Sequence, residues 1–258
     1  MIDEADRILV DAIASLADAP EMMIKGADFR SDGSIKESRW AEINKWLERS
    51  VFEPVTREEA RASGGKIFGA RWVDDPVKEK SRYVIQDFAK TKVPTVFAAA
   101  SDMSTARVVD YKAVRCGYPT FVFDVTSAYT HAVEKDLVYF EPPWEWVEKH
   151  GECLWWSRMK VYGRRDGARS WQDHFVDLTK SEVAKAAGFT VRQCPKAPTI
   201  FYIEEFDGVL ALHVDDGHGT GDPAGARKFM LFLEKHLEMK WVDGLHEGDS
   251  YEYFELPR

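Results

Sequence analysis

The chain has 258 residues, 45% of them hydrophobic and 13% aromatic, which is enough to build a sizeable core in one large domain or two modest ones. A formal net charge of −9 and a pI near 5.4 argue against a generally nucleic-acid-binding surface, so any such contact has to come from local basic stretches. Cys116, Cys153 and Cys194 are widely spaced and odd in number, which speaks against a disulfide framework or a zinc site and for a reducing compartment inside the cell; no signal peptide is expected from the opening MIDEADRILV, and no apolar run approaches a membrane span.

In chain order, residues 3–18 carry Ile8, Leu9, Ile13 and Leu16 at amphipathic spacing and are predicted helical, with APEMMIKGADFRSDGS as a loop after them. Trp40, Ile43, Trp46 and Leu47 predict a helix over 36–48. KIFGARWVDDP and SRYVIQDFA alternate like paired strands, and SDMSTARVVDYKAVRCG is predicted helical with Gly117 as its C-cap. PTFVFDVTSAY reads as a buried strand, YFEPPWEW as a loop and CLWWSRMKVYG as a further strand. A long helix is predicted over ARSWQDHFVDLTKSEVAKAAGF, with Trp171, Phe175 and Leu178 on one face and Gly188 closing it. TIFYIEEFDGVLALHVDDGHGTG reads as strand, Asp-Gly hairpin, strand, Asp-Asp turn and short strand. In GDPAGARKFMLFLEKHLEMKW, Asp222 is the expected N-cap, Pro223 fits N1, and Ala226, Met230, Leu233 and Leu237 form the stripe. DSYEYFEL is predicted to be a last strand. Antiparallel hairpins between helices make α+β the expected class.

The chemistry concentrates in carboxylates. Asp124 lies near the end of an apolar strand, and Asp215 and Asp216 lie at an apolar hairpin tip 91 residues later. Read alone, Asp-Asp-Gly fits a polar turn better than a metal site, and the same dipeptide recurs at Asp74-Asp75. If the two strand ends neighbour each other, three converging carboxylates would repel unless cations neutralise them, and hard oxygen donors suit Mg²⁺ or Mn²⁺. Two stretches are locally basic: 155–171 holds five basic residues against one acidic, and 78–92 holds five against two.

FDVTSAYTHAVEKDLVYFEPPWEW, VYGRRDGARSWQDHF, AGFTVRQCPKAPTIFYI, LALHVDDGHGTG and HLEMKWVDGLHEGDSYEYFEL, in that order and preceded by RWVDDPVKEKSRYVIQDFA, resemble copia-type retrotransposon reverse transcriptases over roughly residues 36–256. The resemblance implies a right-hand polymerase of fingers and palm, with an antiparallel palm sheet and helices packed on one of its faces. It divides the chain into an N-terminal helix and loop (1–35), a fingers-like part (36–119) and a palm-like part (120–258). It implies that Asp124, Asp215 and Asp216 hold two Mg²⁺ or Mn²⁺ ions and that Lys80, Arg82, Ser127, Ala128 and Tyr129 bind the incoming dNTP, with Tyr129 crowding the sugar 2′ position. Arg164, Arg165, Arg169 and His213 would then meet an RNA or DNA template with its primer. Thumb, RNase H and integrase would belong to a longer product. Three positions depart from the family pattern: His213 stands for tyrosine, Asp166 for glutamine and Ala168 for proline. The alternative reading is therefore a catalytically impaired relic with at most nucleic-acid binding, and Asp166 and the glycines of GHGTG are expected to weaken binding and strand stability respectively.

Overall fold

Large aromatic side chains divide between two separate cores, and the chain folds around each. In the computed structural model, which describes residues 33–75, 77, 79–88, 98 and 103–246, the first elements are α1 (Gly33–Glu48), β1 (Phe52–Val55), α2 (Arg57–Ala62), β2 (Lys66–Phe68), β3 (Ala70–Asp75), β4 (Lys80–Ile85), α3 (Met103–Cys116) and β5 (Thr120–Val125). A 3-10 turn, Ala128–His131, leads to β6 (Val138–Phe140), α4 (Trp144–His150) and β7 (Leu154–Ser157). Then come α5 (Gly167–Lys180), α6 (Glu182–Ala186), β8 (Val191–Gln193), β9 (Ile200–Ile203), β10 (Gly208–His213), β11 (Asp216–Thr220), α7 (Pro223–Glu234) and β12 (Met239–Leu245). The expected helix at 3–18 and strand at DSYEYFEL lie outside the described residues. Among those described, no helix is long and apolar enough to cross a membrane.

The first core gathers Ile43 and Trp46 of α1, Phe52, Tyr83, Ile85, Phe140, Trp146 and Trp155. Phe52 stacks on Trp155 with ring centroids 3.6 Å apart, and Trp46, Phe140 and Trp146 meet the same indole edge-on or tilted; each such pair adds about 0.5–1.5 kcal/mol beyond the area it buries. The sheet above it runs β1-β7-β6-β2, with β3-β4 as a separate hairpin. Strands β6 and β7 thus belong with β1 and β2, although they lie inside the range expected for the palm-like part. Conversely α3, expected in the fingers-like part, packs on β10 and β11. The segment after β5 thus returns to the first core before the second is completed.

The second core lies under the six-stranded antiparallel sheet β12-β5-β11-β10-β9-β8. Alternation sends Phe121, Phe123 and Val125 of β5, Leu210 and Leu212 of β10, and Phe201 and Ile203 of β9 to one face, against Trp171 and Phe175 of α5 and Phe229, Met230 and Leu233 of α7. Helices were expected on one face only, but α3 lies across the other: His218, which points away from that core, approaches Asp110 of α3 at 3.6 Å, and Lys112 pairs with Asp207. The mixed α+β class with antiparallel sheets is as expected.

Local chemistry explains the boundaries that differ. The long helix expected through Gly188 breaks at Ser181, whose hydroxyl accepts from Ala184 N–H and caps a new helix. α7 begins as expected, with Asp222 accepting from Gly225 N–H and Pro223 in the first turn, but it ends at Glu234, and Met239 already starts β12. YFEPPWEW is not a loop throughout: Val138–Phe140 pairs with two neighbours and Trp144 opens α4. The glycines of GHGTG, expected to weaken their strand, are closely packed by aromatic rings. The ring of Phe123 lies over Gly217 and that of Phe121 over Gly219, so that a Cβ at either would meet ring carbons at 2.1–2.2 Å.

Candidate active site

The register of β5 against β11 makes Asp124 and Asp216 direct cross-strand partners, and Lys240 of β12 is the partner of Asp124 on its other side. All three side chains leave the sheet on the face opposite the core, where direct cross-strand Cβ atoms stand roughly 5 Å apart. A two-residue turn, Val214-Asp215, closes the hairpin between His213 and Asp216. Val214 has φ +51 and Asp215 does not share that sign, the pattern of a type II′ turn in which glycine usually occupies the first central place. Two bonds hold this turn: Val125 N–H donates to Asp215 C=O at 2.9 Å, and the Trp171 indole N–H donates to Val214 C=O at 2.5 Å.

Opposite the aspartates stands the first lobe. A cleft of about 380 Å³ is lined by Asp124, Thr126, Ser127 and Asp215 on one side and by Lys80, Arg82, Glu42 and Lys45 on the other, with Tyr162 between. A second cleft of about 390 Å³ shares Arg82, Tyr162 and Asp215 with it and adds Ala128, Tyr129, His213 and Asp216. Gly163 lets Tyr162 stand there: its φ is +85, and a Cβ would fall 2.0 Å from the Ile85 carbonyl at the end of β4. Ile85 N–H donates to Tyr162 C=O at 2.8 Å, which joins the two segments, and the Arg82 guanidinium lies 5.6 Å from the Tyr162 ring centroid. Tyr129 packs its ring near Tyr162 and against Gly167. Arg49, in the turn just after α1, ties the lobes together through the Thr126 carbonyl, the Thr130 hydroxyl and the Glu238 carboxylate.

The electrostatics fit a cation. Burial pushes the Asp215 carboxyl above the usual carboxylate range, and the negative charge of Asp124 pushes the same way, against Arg82 and His213. A divalent ion beside Asp215 and Asp124 would relieve both effects, although the donor oxygens of Asp124, Asp215 and Asp216 do not all lie within 4.8 Å of one another. The other Asp-Asp pair is a contrast. Burial alone would raise Asp74 too, but hydrogen bonds from Arg39 and Ser81 hold its carboxyl low, so it already has its cation.

Of the five basic residues at 155–171, Lys160 and Arg164 are buried inside the protein, while Arg158 and Arg169 are exposed. Arg164 is 4% exposed at its side chain, and its guanidinium meets Asp87 at 2.8 Å, Glu134 at 3.0 Å, and Asp136 and Asp166 at 3.4 Å. It is therefore not presented to a template, contrary to expectation. Lys160 completes the cluster with Glu134 and Asp166. Asp166 accordingly answers two internal cations; although burial opposes it, Lys160 and Arg164 hold its carboxyl low. Among the described residues Glu134, Asp136 and Asp166 are the one carboxylate trio whose oxygens all lie within 4.8 Å of one another, so they could in principle hold a metal ion, and Lys160 and Arg164 pair with them. Arg169 pairs with Asp173 one helical turn on, and the Arg165 amide leans on Asp87.

Of the residues singled out from sequence, Asp124, Asp215, Asp216, Lys80, Arg82, Ser127, Ala128, Tyr129 and His213 line the two adjoining clefts, while Arg164, Arg165 and Arg169 do not. Glu42, Lys45 and Tyr162 were missed. Tyr162 sits inside the quoted motif VYGRRDG, so a signal existed; Glu42 and Lys45 fall on the polar side of an amphipathic helix and look like any solvated face. No protein-family model and no curated protein matches the chain.

Proposed function

We propose that the chain is the fingers and palm portion of a copia-type reverse transcriptase, and that its cleft transfers a nucleotidyl group from a dNTP to a primer 3′-hydroxyl on an RNA or DNA template. The observation that supports this reading is the register that sets Asp124 beside Asp216, with Asp215 one residue away and Lys80 and Arg82 across the cleft. Asp124, Asp215 and Asp216 would hold two Mg²⁺ or Mn²⁺ ions, which supply charge neutralisation at the attacking and leaving oxygens. Lys80 and Arg82 offset triphosphate charge from the opposite wall. Tyr129, fixed between Gly167 and Tyr162, presents a bulky edge to the sugar.

The test is extension of oligo(dT) on poly(rA) with dTTP and Mg²⁺ or Mn²⁺. Asp215→Asn is expected to lower the rate by about 100-fold or more. Wild-type activity in that variant would overturn the assignment. Salt-sensitive duplex binding with no extension by the wild type would instead identify the impaired relic.

A further inference from the structure

Trp171 lines neither cleft and is wholly buried beneath the hairpin, with its ring held by Phe175, His131 and His174 at centroid distances of 5.9, 6.0 and 5.9 Å. Its one polar atom, Nε1, donates to the Val214 carbonyl. That carbonyl belongs to the peptide joining Val214 to Asp215. The conformation there is costly, because a β-branched residue stands at positive φ. Rotation of this peptide, which changes ψ of Val214 and φ of Asp215, would swing its carbonyl away and change the backbone angle from which the Asp215 carboxylate projects. The next carbonyl, that of Asp215, is fixed by Val125 N–H, the residue beside Asp124. Two consecutive turn carbonyls are thus anchored, one to α5 and the other to the strand that carries Asp124.

We propose that Trp171 is a positioning residue: its indole N–H locks the Val214-Asp215 peptide and so aims the Asp215 carboxylate toward Asp124. The proposal rests on the reading of Asp215 as a metal ligand. A tryptophan placed only to fill the core would need its ring; this role needs the N–H.

The test is Trp171→Phe, which keeps an aromatic ring and removes the donor. Where phenylalanine leaves too large a void for folding, benzothienylalanine at 171 keeps the indole shape without the N–H. Phe175→Leu disturbs the same packing with the donor intact and serves as the control. Three readouts are taken: hydrogen exchange at Val125 N–H corrected for global stability, Mn²⁺ affinity measured by electron paramagnetic resonance, and kcat and KM for dTTP. Loss of the N–H is expected to speed exchange at Val125 about tenfold, weaken Mn²⁺ about tenfold and lower kcat by a similar factor with KM for dTTP nearly unchanged. Phe175→Leu is expected to lower stability and leave these three readouts alone. Wild-type exchange and Mn²⁺ affinity in the donor-less variants, or equal losses in Phe175→Leu, overturn the proposal. Equal Mn²⁺ binding by wild type and Asp215→Asn overturns the metal-site reading instead, and the Val125 exchange rate then decides alone whether Trp171 locks the turn.

Discussion

Replacing Gly217 with alanine probes how the strand bearing Asp216 is seated. The added Cβ would meet two carbons of the Phe123 ring at 2.1 Å, where ordinary contact begins near 3.4 Å. The ring has little room to retreat, because it is 1% exposed and stacked on Phe175 with centroids 6.3 Å apart. Either the strands part by more than an ångström or Phe123 leaves its rotamer. Overpacking of this kind costs about 1–3 kcal/mol, and a strained side chain adds roughly 0.5–1.5 kcal/mol. The expected destabilisation is therefore about 2–3 kcal/mol, or a fall in Tm of roughly 4–12 °C for a chain of this length. Urea unfolding should show a lower midpoint at an unchanged slope. Phe123→Leu in the alanine background should recover part of the loss, with a coupling energy of about 1 kcal/mol or more. A Gly217→Ala variant within about 0.5 kcal/mol of wild type would refute the idea that the ring fills the glycine's place.

Arg164→Met leaves the buried Glu134 with one cation fewer and should cost about 3–5 kcal/mol by urea unfolding, whereas Arg169→Met, which breaks an exposed pair, should cost under about 1 kcal/mol; similar losses in the two would disprove the division between internal and surface arginines. The His131 imidazole is held to about 4 by burial and by Arg49. Because its folded pKa lies below the unfolded value, the unfolded chain takes up the proton first; stability is full above about pH 6.5 and declines as pH falls from there toward 4, by up to about 2 kcal/mol after allowance for solvent screening. His131→Gln should flatten that part of the Tm-against-pH curve, and an unchanged slope would remove His131 as its source.

Much of the second core was legible because strict alternation in FVFDV and LALHVDD fixes which side chains face inward, and that face in turn fixes the register that joins Asp124 to Asp216. Two features were not legible. The dipeptide at Asp74-Asp75 looks the same as that at Asp215-Asp216, and only the arrival of Arg39 from 35 residues away separates a neutralised structural carboxylate from one left facing a cleft. Similarly Arg164 and Arg165 are adjacent and chemically alike, yet one points into a cluster of four carboxylates, three of them from segments distant in sequence. Pairings of that kind depend on long-range closure, to which neither periodicity nor local charge count responds. The glycines of GHGTG mislead for a related reason: their packing partners are on another strand.

The return of β6 and β7 to the first sheet governs the order in which the protein can assemble. Among the described residues, β1 is hydrogen-bonded in that sheet only to β7, and β2 only to β6. During synthesis the first half therefore waits, with Phe52 lacking its stacking partner Trp155 until some hundred residues later. By then β5 has already been made, although its neighbours β11 and β12 have not. A fragment ending at 119 or starting at 120 is expected to expose unpaired strand edges and to aggregate.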